Sequence, residues 1–154
     1  MSLPNVSADL VWEVVRTQNA FLVKRNKNAK VQLSRDPLNL LNTHSRKYAG
    51  FVNDKAVGVI ANAEGGVQII SKTKAGNNKP ASNTVTSTQG AGKSTRKTYR
   101  SVAALTAKTG YRADLRAAAV SRVSAIRRSQ LPVKADRETK LRGVKARKAA
   151  EESA

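Results

Sequence analysis

Apolar positions in this chain of 154 residues come in short bursts separated by polar, glycine-containing or basic stretches, and the period of each burst predicts its element. Ser7-Ala8-Asp9 supplies an N-cap and a first-turn acid, and Leu10, Val11, Val14 and Gln18 follow at helical spacing, which predicts a short helix over residues 8–17. The alternation Leu10, Trp12, Val14 would serve a strand equally well, and a run this short leaves both readings open. Ala20-Phe21-Leu22-Val23-Lys24-Arg25 is rich in β-formers and predicts a strand, closed by the polar, basic run 26–30. Asp36-Pro37 then begins a loop.

Two further strands are expected in Ala56-Val57-Gly58-Val59-Ile60 and Val67-Gln68-Ile69-Ile70. The residues between them end in Gly65-Gly66, which can take the positive φ of a hairpin turn. Residues 75–92 are dominated by Gly, Asn, Ser and Thr and read as a loop that is mobile without a partner. Beyond it, Tyr99, Val102, Ala103 and Thr106 share one face of a helix over 94–108, with Gly110 as its stop. Asp114 opens another helix to about Ser129, with Leu115, Ala118, Ala119, Val123 and Ile126 as its apolar stripe and Leu131-Pro132 as its end. Arg122 falls within that stripe, so this helix either packs loosely or sets its apolar face near an anion. From Val133 onward apolar residues are sparse, and a helix there would order only on a partner.

The fold class that follows is α+β. A small N-terminal β-containing region of short helix, strand and β-hairpin precedes two C-terminal α-helices and a basic, extended, helical tail. The expected organisation is a small α+β core over 1–80, a flexible Gly/Ser/Thr loop over 81–93, a helical RNA-facing region over 94–132 and a charged tail over 133–154.

Charge changes the picture from fold to function. The formal net charge is +19, from 29 Lys and Arg against 10 Asp and Glu. Twelve basic and five acidic residues precede Pro80, and 17 and five follow it, so the excess runs the whole length. Such an excess calls for a polyanion, and nucleic acid rewards cation contacts through counterion release. A membrane partner is disfavoured, because no apolar run approaches the roughly 18–20 residues that a spanning helix needs. Residues 1–7 lack the n-region and h-region of a secretory signal, so the chain reads as retained inside the cell and Asn5-Val6-Ser7 as an idle glycosylation triplet. With no cysteine, disulfides, thiolate metal sites and cysteine nucleophiles are excluded.

Catalytic signatures fail on their own templates. Ser87-Thr88-Gln89-Gly90-Ala91-Gly92-Lys93-Ser94 ends like a phosphate-binding loop, but Ser87 stands where that loop needs its first glycine. The chain also lacks an apolar strand closed by an Asp to hold magnesium. His44 is the only histidine, so a histidine-based metal site cannot be built. The acids are scattered in the manner of caps and ion pairs. We therefore expect no enzyme activity, no cofactor, no metal and no small-molecule substrate.

Basic clusters remain. Any one of them could be a solvated face, but they recur on nearly every loop and helix, which suits a protein embedded in folded RNA better than a DNA reader with one charged element. The expected RNA contacts are Lys24, Arg25, Lys27, Arg46, Lys47, Lys72, Lys74, Lys93, Arg96, Lys97, Arg100, Arg112, Arg116, Arg122, Arg127 and Arg128. Six aromatic residues make a poor stacking platform, so contacts should go mainly to phosphate and sugar.

Several blocks resemble the family of protein twenty-eight of the eukaryotic large ribosomal subunit. They are Leu10-Val11-Trp12-Glu13-Val14-Val15-Arg16, Phe21-Leu22-Val23-Lys24-Arg25-Asn26-Lys27, and Tyr48-Ala49-Gly50 with Ala56-Val57-Gly58-Val59. The longest is Tyr111-Arg112-Ala113-Asp114-Leu115-Arg116-Ala117-Ala118-Ala119, continuing through Arg122, Ser124-Ala125-Ile126, Arg128-Ser129-Gln130 and Pro132-Val133. The resemblance implies a ribosome-bound α+β protein whose C-terminal helices lie on ribosomal RNA, with neighbouring ribosomal proteins as further partners and no catalytic residues. It also implies residence on cytoplasmic ribosomes, with nuclear and nucleolar passage during assembly. The acidic Glu151-Glu152 end departs from the basic tails of that family. A nucleolar large-subunit assembly factor, the alternative reading, shares the pattern of a Trp-containing segment followed by a Phe-led basic strand, but its cysteine-rich segment has no counterpart here. A free DNA-binding or chromatin protein is the other competing class, suggested by the Ala- and Lys-rich tail.

Overall fold

The computed structural model describes residues 6–25, 31–73, 79–137, 140 and 142–153. Its first element is a helix, α1 (Ala8–Val15), and not a strand. Ser7 caps it, its Oγ accepting from the Leu10 N–H at 3.2 Å. The face turned inward is Ala8, Val11, Trp12 and Val15, which pack with Ala49, Phe51 and Val52 into a small core of their own. Leu10 and Val14, expected on that face, point to solvent. Trp12 has the larger apolar surface to bury, and its burial fixes the rotation of the helix.

Strand β1 (Leu22–Lys24) pairs antiparallel with β2 (Gln32–Ser34) in a two-stranded ribbon. The sequence did not announce β2, a three-residue strand in which Leu33 is the one apolar residue. The loop at Asp36-Pro37 is held by the buried Asp36 carboxylate, which accepts from the Leu38 N–H and the Phe51 N–H, each at 2.9 Å.

The main sheet has the order β3 (Val57–Ala61), β4 (Gly66–Lys72), β5 (Thr84–Gly90), antiparallel throughout. The expected hairpin is present, with Gly65 at φ +84° and Gly66 at φ +88°. At Gly66 a side chain is excluded twice, since a Cβ there would stand 2.1 Å from the Gln89 carbonyl oxygen. Strand β5 overturns the loop expected over 75–92: residues 84–90 pair with β4 from Lys72↔Thr84 to Gly66↔Gly90. No residue of β5 is buried, so its hydrogen-bonded ladder leaves no apolar alternation to read. Its β-branched run Thr84-Val85-Thr86 was the available signal.

Ser94 caps α2 (Thr95–Ala103), accepting from the Lys97 N–H at 3.4 Å. The helix runs on as a π-helical turn over Ala104–Lys108, where the buried Thr106 hydroxyl donates to the Val102 carbonyl at 3.0 Å. Gly110 at φ +63° ends it. A 3₁₀ turn over Ala113–Leu115 leads into α3 (Arg116–Ser129), and α4 (Val144–Glu152) follows in the tail without a buried residue.

The main core joins alternate residues of two strands, Val57 and Val59 with Val67 and Ile69, to Val102 of α2, to Leu115 of the 3₁₀ turn and to Ala119 and Val123 of α3. Helix α3 is pinned along the β3–β4 hairpin at both ends. Near its start the Tyr111 hydroxyl accepts from the Ala56 N–H at 3.2 Å and donates to the Lys72 carbonyl at 2.7 Å. At its end Gln130 holds Gly66. The architecture is the expected α+β arrangement.

Candidate nucleic-acid interface

The structure divides the expected RNA contacts into cations held by their own chain and cations facing solvent. Lys72 is corrected outright. It is 8% exposed, and its ammonium donates to the carbonyls of Asn53 at 2.8 Å and Phe51 at 3.3 Å. Burial pushes its pKa down, against the opposing pull of Asp36 and Asp54. The group closes the sheet onto the N-terminal loops and is not presented to a partner.

Four more are engaged internally. Arg46 meets Asp9 through Nε and Nη2, both at 2.8 Å, and also Asn53. Arg112 forms a bidentate pair with Asp114 at 2.8 and 2.7 Å and donates to the carbonyls of Lys55 at 2.9 Å and Lys47 at 3.2 Å. That hydrogen-bonded pairing raises the Arg112 pKa and holds the Asp114 carboxyl below the usual carboxylate range. Arg127 donates to the carbonyls of Ala91 and Lys93, tying α3 to the turn after β5. The Lys93 ammonium reaches Gln89 and, at 3.3 Å, the Ser101 hydroxyl. The segment that resembled a phosphate-binding loop is therefore the end of β5 and a turn, with its lysine turned onto its own chain.

Lys24, Arg25, Lys47, Arg96, Lys97, Arg100, Arg116 and Arg128 are exposed. Arg122 is half-buried at the edge of the α3 stripe, and its Nε is shut from solvent with no hydrogen-bond partner. The packing beside it is not loose, since Ala119 and Val123 are fully buried. Lys27 and Lys74 lie outside the described residues.

Tertiary structure brings two of the exposed arginines together. Arg100 of α2 and Arg116 of α3 line an open groove of about 590 Å³ with Lys108, and Ala103, Ala104 and Ala107 complete its wall. Arg96 precedes Arg100 by one turn on the same face of α2. Lys108 was absent from the expected contacts because nothing in the sequence relates it to Arg116. Its place comes from the π-helical turn, a departure from α geometry that recurs at functional sites. Alanine keeps the wall low, so a phosphate–sugar backbone can approach three cations without meeting side-chain bulk. Planar guanidinium groups suit bidentate contact with phosphate oxygens.

Among the described residues no group of three or more His, Asp or Glu could hold a metal ion, and no helix is long and apolar enough to cross a membrane.

Comparison with known proteins agrees with the resemblance noted above. The chain is 43% identical to the large ribosomal subunit protein eL28 of Schizosaccharomyces pombe over 130 residues, which cover 84% of this chain and 97% of the relative. It is 37% identical to the eL28 protein of Dictyostelium discoideum over 118 residues, covering 77% and 84%. A third relative, the eL28 protein of Caenorhabditis elegans, is 35% identical over 83 residues, covering 54% and 63%. The profile of the Ribosomal L28e protein family matches residues 10–129, a span that takes in most of α1, both sheets and the groove between α2 and α3, and the chain belongs to that family.

Proposed function

We propose that this chain is a structural, non-catalytic constituent of the large ribosomal subunit that holds folded ribosomal RNA through phosphate and sugar contacts. The observation that carries the reading is the groove of Arg100, Lys108 and Arg116 over its alanine wall, in a chain whose relatives are named as large-subunit proteins. The ten acids of the chain offset only ten of its 29 Lys and Arg, leaving +19, and RNA phosphates supply the balance. The contact set is Lys24, Arg25, Lys47, Arg96, Lys97, Arg100, Lys108, Arg116 and Arg128, together with the half-buried Arg122. Ribosomal RNA and neighbouring ribosomal proteins are the partners, and cytoplasmic ribosomes, reached through the nucleolus, are the location.

The test is sedimentation of the tagged chain from cell extract. The expected result is co-migration with mature large subunits and translating ribosomes. A chain found with assembly particles alone would identify an assembly factor instead, and preference for duplex DNA over ribosomal RNA at matched salt would favour the chromatin reading.

A further inference from the structure

A second concave site lies away from the groove, between α1 and the β1–β2 ribbon. It is a hollow of about 350 Å³ lined by Trp12, Arg16, Thr17, Lys24, Gln32 and His44. Its size falls within the ~300–1,000 Å³ of ordinary small-ligand sites. The Trp12 and His44 rings lie 4.9 Å apart and tilted by 39°, an aromatic corner at the wall of the hollow. His44 Nε2 is 2.8 Å from the Arg16 carbonyl oxygen. A carbonyl only accepts, so Nε2 donates in this contact. Gln32 is exposed on β2 and offers an amide with donors and an acceptor. Two cations complete the lining: Lys24, exposed on β1, and Arg16, which also meets Glu13 at 3.2 Å on the outer side of α1.

This is the chemistry of one nucleotide: ring surface, hydrogen-bonding groups for a base edge, and two cations for phosphate. Among the described residues, exposed Lys47 also lies over a ring, that of Tyr48, and exposed Arg128 shares a hollow with Tyr99 and Gln130, but the paired rings of Trp12 and His44 belong to this hollow. Sequence-specific RNA binding characteristically takes up unpaired bases on such mixed aromatic and amide surfaces. We propose that the hollow between α1 and the β1–β2 ribbon receives one unpaired nucleotide of a bound RNA, with its base at the Trp12–His44 corner and its phosphates toward Arg16 and Lys24. The inference rests on the reading above that the chain binds RNA.

Trp12 is the only tryptophan in the chain, so tryptophan fluorescence reads the wall of this hollow and the small core behind it. The full chain is titrated with a short single-stranded RNA, with the same strand carrying abasic sites, with a perfect RNA duplex and with nucleoside monophosphates. Filter binding measures in parallel whether each is bound at all. Saturable quenching by the single strand is expected, with none from the abasic strand or the duplex even where these bind. The Lys24→Ala/Gln32→Ala variant changes exposed side chains only and should weaken the quenching titration by roughly 10-fold or more, the scale of one lost base contact. RNA retained on the filter without any change in Trp12 emission would overturn this site and leave the general reading standing. Quenching by monophosphates as tight as by the strand would make it a free-nucleotide pocket and overturn the RNA assignment. Absence of all RNA from the filter would instead remove the reading on which the inference rests.

Discussion

The side-chain amide of Gln130 grips the backbone of Gly66 at both of its polar groups, accepting from the N–H at 3.0 Å and donating to the carbonyl at 2.7 Å. Sixty-four positions separate the two residues. The contact fixes the C-terminal end of α3 to the turn of the β3–β4 hairpin, as the Tyr111 hydroxyl fixes its other end to Ala56 and Lys72. Between these two pins Leu115, Ala119 and Val123 lie on Val57, Val59, Val67 and Ile69, so helix and hairpin form one block carrying the exposed Arg116 and Arg128.

Replacing Gln130 with Ala leaves both groups of Gly66 without that partner and should lower stability by about 1–2 kcal/mol. Urea unfolding followed by circular dichroism measures it. Gly66→Ala should cost more than Gln130→Ala, because the new Cβ meets the Gln89 carbonyl as well as an unfavourable positive φ. Equal losses in the two variants would contradict the crowded hairpin turn.

The groove cations should behave as phosphate contacts and nothing else. The Arg100→Ala/Lys108→Ala/Arg116→Ala variant is expected to reduce the slope of log affinity for ribosomal RNA against log salt by roughly 2–3, near one unit for each lost phosphate contact. These heads are exposed, so the melting temperature should change little. An unchanged slope would dismiss the groove as an RNA surface.

Arg112 and Lys72 should show the opposite pattern. Arg112→Met removes charge-assisted bonds to Asp114 and to the Lys47 and Lys55 carbonyls, and a loss of about 1.5–3 kcal/mol is expected, since bonds to charged groups fall in that range. Lys72→Met frees the carbonyls of Phe51 and Asn53 and should also destabilise. Salt slopes for RNA binding should stay at the wild-type value in both, as thermal unfolding and filter binding on the same samples would establish.

Acid should remove the contribution of the Arg112–Asp114 pair. The Asp114 pKa is depressed in the folded chain, chiefly by its hydrogen bond from Arg112. On acidification the unfolded chain therefore takes up the proton first, near the ordinary value of about 4. The pair's stabilisation is fully present above that pH and is lost as pH falls toward the lower folded value. The stability difference between wild type and Asp114→Asn should be constant near neutrality and shrink below roughly pH 4. A difference that persists undiminished into strong acid would mean that the charge on Asp114 is irrelevant.

Much of this protein was determined by the chain read by itself. The bursts of Val, Ile and Leu, the glycines of one turn and the spacing of Leu115, Ala119 and Val123 were enough for the hairpin and the two packed helices, because burying apolar surface imposes a period that survives in sequence. The excess of cations pointed to a polyanion, because net charge is a sum that needs no coordinates. What only the tertiary structure decided was everything that depends on partners distant in sequence. Strand β5 buries no residue and is held by its ladder with β4, so its existence is a property of the pairing and not of its own pattern. Trp12, and not the apolar spacing of α1, set which face of that helix turned inward. Lys72 and Arg112 look like Lys24 and Arg116 in a sequence, yet one pair is consumed by the carbonyls and carboxylate of the fold and the other is left facing solvent. A basic side chain whose donors are buried against carbonyls of its own chain is not presented to a partner, and that is a fact about distances.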